Sequence, residues 1–180
     1  MFLVKPWLFT AKNKNDMQSA NAITEEELDR FLNEEFEPEG LNYIEEVMAD
    51  DQGTDEDGLV KRFGGPPGRR RYKSKQKTKS YFKKQKRDLK KTIRETVCKL
   101  VIDILPDEDY LKELAKKLTD ALIKVIPVGV DIILSLLRKL FEKAIFKVLQ
   151  WLLGLLEAGV ERICDGVDED TPSPLAPVLA

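Results

Sequence analysis

Residues 88–104 read Asp88-Leu-Lys-Lys-Thr-Ile93-Arg-Glu-Thr-Val97-Cys-Lys-Leu-Val-Ile-Asp-Ile104, and the fold follows from this stretch. Its apolar side chains recur every three or four residues, at Leu89, Ile93, Val97, Leu100, Val101 and Ile104. An α-helix turns once in about 3.6 residues, so this spacing places them on one face. The pattern predicts an amphipathic helix that starts near Asp88 and stops before Pro106, because proline cannot continue a helix.

Two further helical patterns follow this one. The first has apolar residues at Leu111, Leu114, Leu118, Leu122, Val125 and Ile126 and ends before Pro127. The second runs from near Asp131 to Cys164, about 30 residues, which is long against a mean helix of about 11–12. Amphipathic helices joined by short turns bury their apolar stripes against one another. We therefore expect an all-α fold, with a C-terminal bundle of about three amphipathic helices over residues 88–164.

The last predicted helix carries more apolar surface than one bundle needs. A second apolar stripe appears on it at Phe146, Leu149, Leu153, Leu156 and Val160, with Trp151 close by. A helix that is apolar on both sides must be covered on both sides. We expect these residues to form either a face for self-association or one that inserts into an anionic membrane surface. No window of about 18 uncharged apolar residues occurs, so a spanning helix is not expected.

Charge is segregated along the chain, although Lys and Arg total 30 and Asp and Glu total 32. Residues 1–57 hold 4 basic and 16 acidic side chains, whereas residues 58–95 hold 16 basic and 2 acidic ones. Blocks of like charge repel themselves and resist burial. They predict an acidic, mostly disordered arm at 1–57, followed by a linker and basic segment at 58–87.

The acidic arm contains a short amphipathic helix near residues 24–37. Thr24 and Glu27 have the spacing of a capping box, in which each side chain bonds the backbone N–H of the other residue. The apolar side chains of this helix are Leu28, Phe31, Leu32 and Phe36. Three interpretations stay open: these side chains enter the groove of a protein partner, they dock on the chain's own bundle, or the arm folds back on the basic segment and competes there with phosphate.

The basic segment gives the strongest functional signal. Clustered Lys and Arg release counterions from phosphate backbones, which predicts salt-dependent binding of RNA or DNA without base specificity. Tyr72, Tyr81 and Phe82 lie among the charges and are candidates for stacking on unpaired bases. The same run fits a signal read by a nuclear import receptor, and it would also attract anionic lipid. The candidate cations are Arg69, Arg70, Arg71, Lys73, Lys75, Lys77, Lys79, Lys83, Lys84, Lys86 and Arg87.

Residues 64–68 read Gly-Gly-Pro-Pro-Gly and separate the two charged arms. Glycine and proline interrupt helices and strands, so we expect a linker there. No apolar face is visible in the basic run after it, which predicts an extended, solvated segment in the absence of a ligand.

An enzyme is not expected from this composition. The chain has no histidine, which removes His-based acid–base chemistry, Ser/His and Cys/His nucleophile pairs and His metal sites. Cys98 and Cys164 are too few for a Cys-ligated zinc site. Their spacing leaves open whether they are buried thiols or form a bridge between helices or chains. We expect no catalytic residue, no metal site and no cofactor.

The two ends of the chain carry weaker signals. Residues 1–10 are apolar but short and are interrupted by a lysine and a proline, so a signal peptide and secretion are not expected. Residues 165–180 are acidic and proline-rich, which predicts disorder. Thr171 and Ser173 each precede a proline there and are candidates for phosphorylation.

These features predict a non-enzymatic regulatory protein. Its bundle forms a homo-oligomer, its basic segment binds nucleic acid or an import receptor, and its acidic arm engages a protein partner. The alternative is a membrane-active accessory protein, whose basic segment and last helix bind or insert into anionic membranes. A nuclear or cytoplasmic location is expected for the first, and peripheral membrane association for the second.

Overall fold

The computed structural model describes residues 21–50, 67–126, 137–159, 163–168 and 170–179. For residues 48–50 and 67–74 it describes the backbone only. Most residues in these ranges are helical, and none of them forms a β-strand. The expected all-α fold is therefore confirmed. The elements, in chain order, are α1 (Glu25–Arg30), a π-helix (Phe31–Phe36), α2 (Glu37–Asp50), α3 (Pro67–Lys99), α4 (Glu108–Lys124), α5 (Arg138–Glu157) and α6 (Ala176–Leu179).

The first three elements follow one another without a gap and are called here the acidic helix, residues 25–50. It begins with the predicted capping box, which is confirmed. Thr24 Oγ1 accepts from the Glu27 N–H at 3.2 Å, and Glu27 Oε2 accepts from the Thr24 N–H at 2.8 Å. The first turn carries Glu25, Glu26 and Glu27, which suit the positive end of the helix dipole.

The π-helix lets residues spaced by four share one face of the acidic helix. In an α-helix, side chains four apart drift around the axis, because a turn takes about 3.6 residues. The wider i→i+5 turn, seen where the Glu37 N–H donates to the Leu32 carbonyl, corrects that drift. The buried positions of this helix include Leu28, Leu32, Phe36 and Ile44, which are spaced by four or eight.

Three helices meet at one aromatic cluster. Phe36 of the π-helix stacks on Phe82 of α3, with ring centroids 4.9 Å apart. Phe141 of α5 meets both rings edge-on, at 5.5 Å from Phe36 and 5.8 Å from Phe82. All three side chains are fully buried. Burying a phenylalanine side chain stabilises a fold by roughly 1.5–3 kcal/mol, so this cluster is a main energetic link between the acidic helix and the bundle.

The basic run is helical, which corrects the expectation of an extended segment. Helix α3 begins at Pro67, inside the predicted linker, and proline is well suited to a first helical position because its ring fixes φ and the missing N–H would be unbonded there. The stripe of buried residues starts upstream of Asp88, at Thr78 and Phe82. The like charges of this segment repel one another and disfavour a helix. Packing of the narrow buried stripe against the other helices stabilises the helical form.

Two other predicted boundaries change in the structure. Helix α3 ends at Lys99 rather than at Pro106, so residues 100–107 form an exposed connection before α4. The last helix runs over Arg138–Glu157, shorter than the predicted span, and residues 127–136 lie outside the described residues. Helix α5 packs chiefly against α4 and buries Leu140, Phe141, Ala144, Ile145, Val148, Leu149, Trp151, Leu152 and Leu153.

The C-terminal tail docks on the bundle, contrary to the predicted disorder. Leu175 is fully buried, and α6 contacts α4. Ser173 is buried and its hydroxyl lies 2.8 Å from the buried Thr96 Oγ1. The Ser173 hydroxyl is therefore not accessible to a kinase while the tail is docked, which corrects the prediction for this residue. Thr171 stays exposed.

A disulfide joins Cys98 at the end of α3 to Cys164, with Cα atoms 5.6 Å apart. The bridge was one of the two interpretations that the spacing left open. It spans 66 residues of sequence and so encloses α4 and α5. Arg94 reinforces it, since its guanidinium donates to the carbonyls of Ile163 and Asp165.

Reducing the disulfide should lower the free energy of unfolding. In the chain-entropy model, closing a loop of this length lowers the entropy of the unfolded chain and so raises its free energy by about 4 kcal/mol. We expect Cys98→Ser/Cys164→Ser to lose a comparable amount in denaturant titration, and dithiothreitol to lower the stability of the parent chain to the same level. Equal stability of the reduced and oxidised chains would contradict this role.

Gly40→Ala should destabilise the protein by about 1–3 kcal/mol, the usual cost of overpacking. A Cβ atom at Gly40 would lie 2.1 Å from Phe82 Cζ and within 2.7 Å of two further ring atoms. Thermal unfolding checks the loss, with the exposed α2 residue Asn42→Ala as the matched control. Phe82→Leu should make the alanine at position 40 tolerable, and additive losses in the double variant would contradict the proposed clash.

Candidate functional site

Helix α3 is the most strongly charged element of the structure. It holds 15 Lys and Arg residues against 2 acidic ones, whereas the acidic helix holds 11 acidic residues and 1 arginine. The two lie antiparallel, because residues late in the acidic helix pair with residues early in α3. Glu45 contacts Lys79, Glu37 contacts Lys86, and Asp29 contacts Lys90.

The cations that face the acidic helix are occupied by its carboxylates. Glu45 accepts from Lys79 and lies 3.7 Å from Lys75. Lys86 donates to Glu37 and, at 2.6 Å, to the Asn33 side chain. Further along, Lys90 donates to Asp29 and, at 3.2 Å, to Glu25, while its ammonium lies 5.4 Å from the Trp151 ring centroid.

A second set of cations faces away from the acidic helix. We call Lys77, Lys84, Arg87 and Lys91 the outer stripe; all four are exposed. Their spacings of seven, three and four residues place them along one side of α3, over about 21 Å. Lys77 and Lys84 form no ion pair within the described part of the chain. Arg87 and Lys91 contact only carboxylates of α3 itself, Asp88 at 3.3 Å and Glu95 at 3.8 Å.

A shallow groove runs beside the outer stripe, along the seam between α2 and α3. Its volume is about 510 Å³. All the charged residues that line it belong to α3, and Leu41 supplies the α2 wall. The lining residues are Leu41, Gln76, Lys79, Ser80, Lys83, Lys84 and Arg87. The Lys83 side chain is largely exposed, and its ammonium lies 3.9 Å from the Glu37 carboxylate, near the limit of an ion pair. It can therefore also bind an anion in the groove.

The pKa values follow the pairing of the two helices. Hydrogen bonding and charge from Lys79, with a further contribution from Lys75, lower the pKa of Glu45 below its ordinary value. Burial acts to lower the pKa of Lys90, but its bonds to Asp29 and Glu25 outweigh burial and raise it. Both shifts favour the charged forms, so the pairing is electrostatically self-consistent.

The predicted cations divide between these surfaces. Lys75, Lys79 and Lys86 face the acidic helix, and Lys77, Lys84 and Arg87 belong to the outer stripe. The backbone of α3 includes Arg69, Arg70, Arg71, Tyr72 and Lys73, but their side chains lie outside the described part of the chain. Lys91 was missed by the sequence prediction, although its position seven residues after Lys84 extends the stripe.

The base-stacking prediction is wrong for Phe82 and is not supported for Tyr81. Phe82 is fully buried in the aromatic cluster. Tyr81 is half-buried against the core, and burial raises the pKa of its phenol despite a hydrogen bond with Gln85. Neither ring lies free on the surface, because both are needed to cover the bundle. The third predicted stacking residue is Tyr72, whose side chain lies outside the described part of the chain. The prediction for Tyr72 is therefore still open.

The predicted partner-binding side chains of the acidic arm are covered by the chain itself. Leu28, Phe31, Leu32 and Phe36 are all buried in the common core. This geometry matches the interpretation in which the arm docks on its own bundle. The arm also lies on the basic segment, while its competition with phosphate there stays a prediction. The interpretation in which these four side chains enter a partner's groove is corrected, because no apolar face of theirs is left exposed.

The predicted oligomer or membrane face is also mostly internal. Leu149, Trp151 and Leu153 are buried, Phe146 is half-buried and Leu156 is exposed; Val160 lies outside the described residues. Leu156 keeps part of its surface in solvent, whereas Leu149, Trp151 and Leu153 are covered by the helices that pack on α5, which are α4, α3 and the acidic helix. A second copy or a bilayer is therefore not needed to cover these side chains, which corrects the reason given for the prediction.

No cluster of three or more Cys, Asp or Glu side chains in the described residues is arranged to hold a metal ion. Over the same ranges, none of the helices has the length and apolar character needed to cross a membrane.

Comparison of the chain with protein-family models, with curated proteins and with solved structures finds no match.

Glu45→Gln should reduce the dependence of stability on acid. Because the pKa of Glu45 is depressed in the folded protein, its contribution is present above the ordinary value of 4.5 and is lost as pH falls through the folded value. The drop in melting temperature between about pH 7 and about pH 3 should be smaller in this variant than in the parent. Glu46→Gln, an exposed neighbour, is the control, and equal drops in all three proteins would contradict the pairing.

Proposed function

We propose that this chain is a non-enzymatic protein that binds the phosphate backbone of nucleic acid through the outer stripe of α3. The observation that carries the proposal is the sorting of cations on this helix. Those on one side are paired with the acidic helix, whereas Lys77, Lys84, Arg87 and Lys91 are directed to solvent along about 21 Å. Such a row of cations matches the repeating charge of a polyanion.

The expected recognition is of backbone charge and not of base sequence. An isolated α-helix can enter the major groove of DNA, which is about 12 Å wide. Helix α3 can present only its outer side to a nucleic acid, because the acidic helix and α5 pack on its other sides. Phe82 and Tyr81 are also packed in the bundle. The ligand therefore lies across the outer stripe, where ammonium and guanidinium groups neutralise phosphates without reading base edges.

Nucleic acid is preferred here to the alternative of an anionic membrane. Membrane insertion requires apolar side chains beside the basic ones. Among the residues whose side chains the structure describes, the exposed large apolar ones are Leu100, Val101, Leu105, Val125 and Leu156, and none of them belongs to α3. Nuclear import through the same cations, self-association and a nuclear or cytoplasmic location stay predictions. The Cys98–Cys164 disulfide weighs against that location, because such bonds are rare in reducing compartments.

The salt dependence of binding tests the proposal quantitatively. Four phosphate contacts predict a slope of about −3.6 for duplex DNA in a plot of log K against log salt concentration. Lys77→Gln/Lys84→Gln/Arg87→Gln should reduce the magnitude of that slope by about 2.7. Fluorescence polarisation of labelled duplex and single strands, between about 50 and about 200 mM salt, measures both.

A matched control separates the stripe from the total charge. Lys116, Lys117 and Lys124 are exposed cations of α4, and Lys116→Gln/Lys117→Gln/Lys124→Gln changes the net charge by the same amount. This variant should keep the parent slope. Equal losses in the two triple variants would contradict a localised site. Binding to phosphatidylserine vesicles that exceeds nucleic-acid binding, and is lost in the stripe variant, would replace the proposed ligand by a membrane.

A further inference from the structure

The connection between α3 and α4 exposes apolar side chains that the bundle does not use. Leu100 is 36% exposed, Val101 is 82% exposed and Leu105 is 44% exposed. Ile102 and Ile104, between them, are half-buried on the core. The connection therefore has an inner side that anchors it and an outer side that presents three apolar side chains to solvent.

Val101 has a backbone conformation that valine rarely adopts. Its φ is +49°, and it is the one non-glycine residue with positive φ in the described part of the chain. The backbone here closes the end of α3: the Ile102 N–H donates to the Val97 carbonyl at 3.0 Å, and the Val101 N–H donates to the Cys98 carbonyl at 3.4 Å. Glycine normally occupies the left-handed position of such a helix end, because it has no Cβ to clash.

Contacts within the described part of the chain do not offset the backbone strain at Val101. A β-branched residue at positive φ is a steric outlier, and such strain is usually kept where a site needs it. Buried contact would offset the strain, but this side chain is almost entirely in solvent. Contact with another molecule would compensate it.

The charge around this connection defines what that molecule is like. Four acidic residues lie here, and two of them have partners: the Asp107 carboxylate caps α4 by accepting from the Asp109 N–H, and Glu108 pairs with Lys112. The other two, Asp103 and Asp109, form no ion pair within the described part of the chain and make up the acidic rim. The nearest preceding cation, Lys99, donates to the Thr171 carbonyl. An apolar centre with an acidic rim is complementary to a segment that carries apolar residues on one side and Lys or Arg beside them.

We propose that residues 100–109 form a docking surface for a basic amphipathic helix of another protein, with Val101 as the central apolar contact. The surface is held in place before binding. The Cys98–Cys164 disulfide fixes its start, the Tyr110 hydroxyl donates to the Asp103 carbonyl at 2.9 Å, and the Asn21 side chain donates to the Pro106 carbonyl at 2.9 Å. Preorganisation lowers the entropic cost of association.

Val101→Gly separates binding from folding, because the two respond in opposite directions. Glycine removes the strain and keeps the backbone hydrogen bonds, so the melting temperature of the full oxidised chain should stay level or rise by about 2–4 °C. The same change removes the exposed apolar contact. Binding of a labelled peptide of about 18 residues, with Leu and Lys at helical spacing, should weaken by about tenfold in fluorescence anisotropy.

Three controls make the outcome decisive. Val125→Ala removes apolar surface from another exposed turn and should leave peptide binding unchanged. Asp103→Asn/Asp109→Asn should weaken binding, whereas Glu34→Gln/Glu46→Gln, with the same change in charge on the acidic helix, should not. The corresponding Leu/Glu peptide should not bind.

Several results would overturn the proposal. Unchanged peptide affinity in Val101→Gly, or equal losses in the two charge variants, would reduce the interaction to general attraction between unlike charges. A lower melting temperature in Val101→Gly would show that the side chain serves the fold. Concentration-dependent dimers in sedimentation that disappear in Val101→Gly would assign the surface to a second copy instead.

Discussion

The close approach of the acidic helix to α3 at Gly40 and Phe82 is the contact on which the rest of the structure depends. It allows the Phe82 ring to lie beneath the acidic helix, where it stacks on Phe36 and meets Phe141. The carboxylates and ammonium groups on the flanks of the two helices then come within hydrogen-bonding distance. Exposed ion pairs contribute only about 0–1 kcal/mol each, so the aromatic contact holds the helices together and the charges set their register.

The same contact divides the positive charge of α3 between two sides of the helix. Without the acidic helix, its cations would surround the whole segment, and the helix would be strongly self-repelling. With the acidic helix in place, the inward cations are neutralised and the outer stripe remains for a polyanion. The acidic helix therefore stabilises the helical form of the basic segment and limits the face that is left for the proposed polyanion.

The far end of α3 combines a covalent constraint with local strain. The disulfide joins Cys98 to Cys164, and the docked tail covers Thr96 with Ser173. Directly beyond it, Val101 takes a left-handed backbone conformation with its side chain in solvent. The nucleic-acid face proposed on α3 and the docking surface proposed at residues 100–109 are carried by different residues, so each can be lost without the other.

Local patterns in the sequence determined the helical class, the capping box at Thr24 and the apolar stripes of α4 and α5, because hydrophobic period and capping act over a few neighbouring residues. The charge blocks were also visible, but their arrangement was not. Among the described side chains of α3 upstream of Leu89, the buried stripe consists of Phe82 and Thr78 alone, and most residues around them are cationic or polar. So few apolar positions do not indicate a buried face in the sequence. Only the tertiary structure decided that the two charged segments pair as antiparallel helices, that the apolar stripes of α5 are covered within the chain, and that Cys98 meets Cys164. These outcomes depend on contacts between residues far apart in sequence. Neither hydrophobic periodicity nor charge counting says which distant segments meet in space.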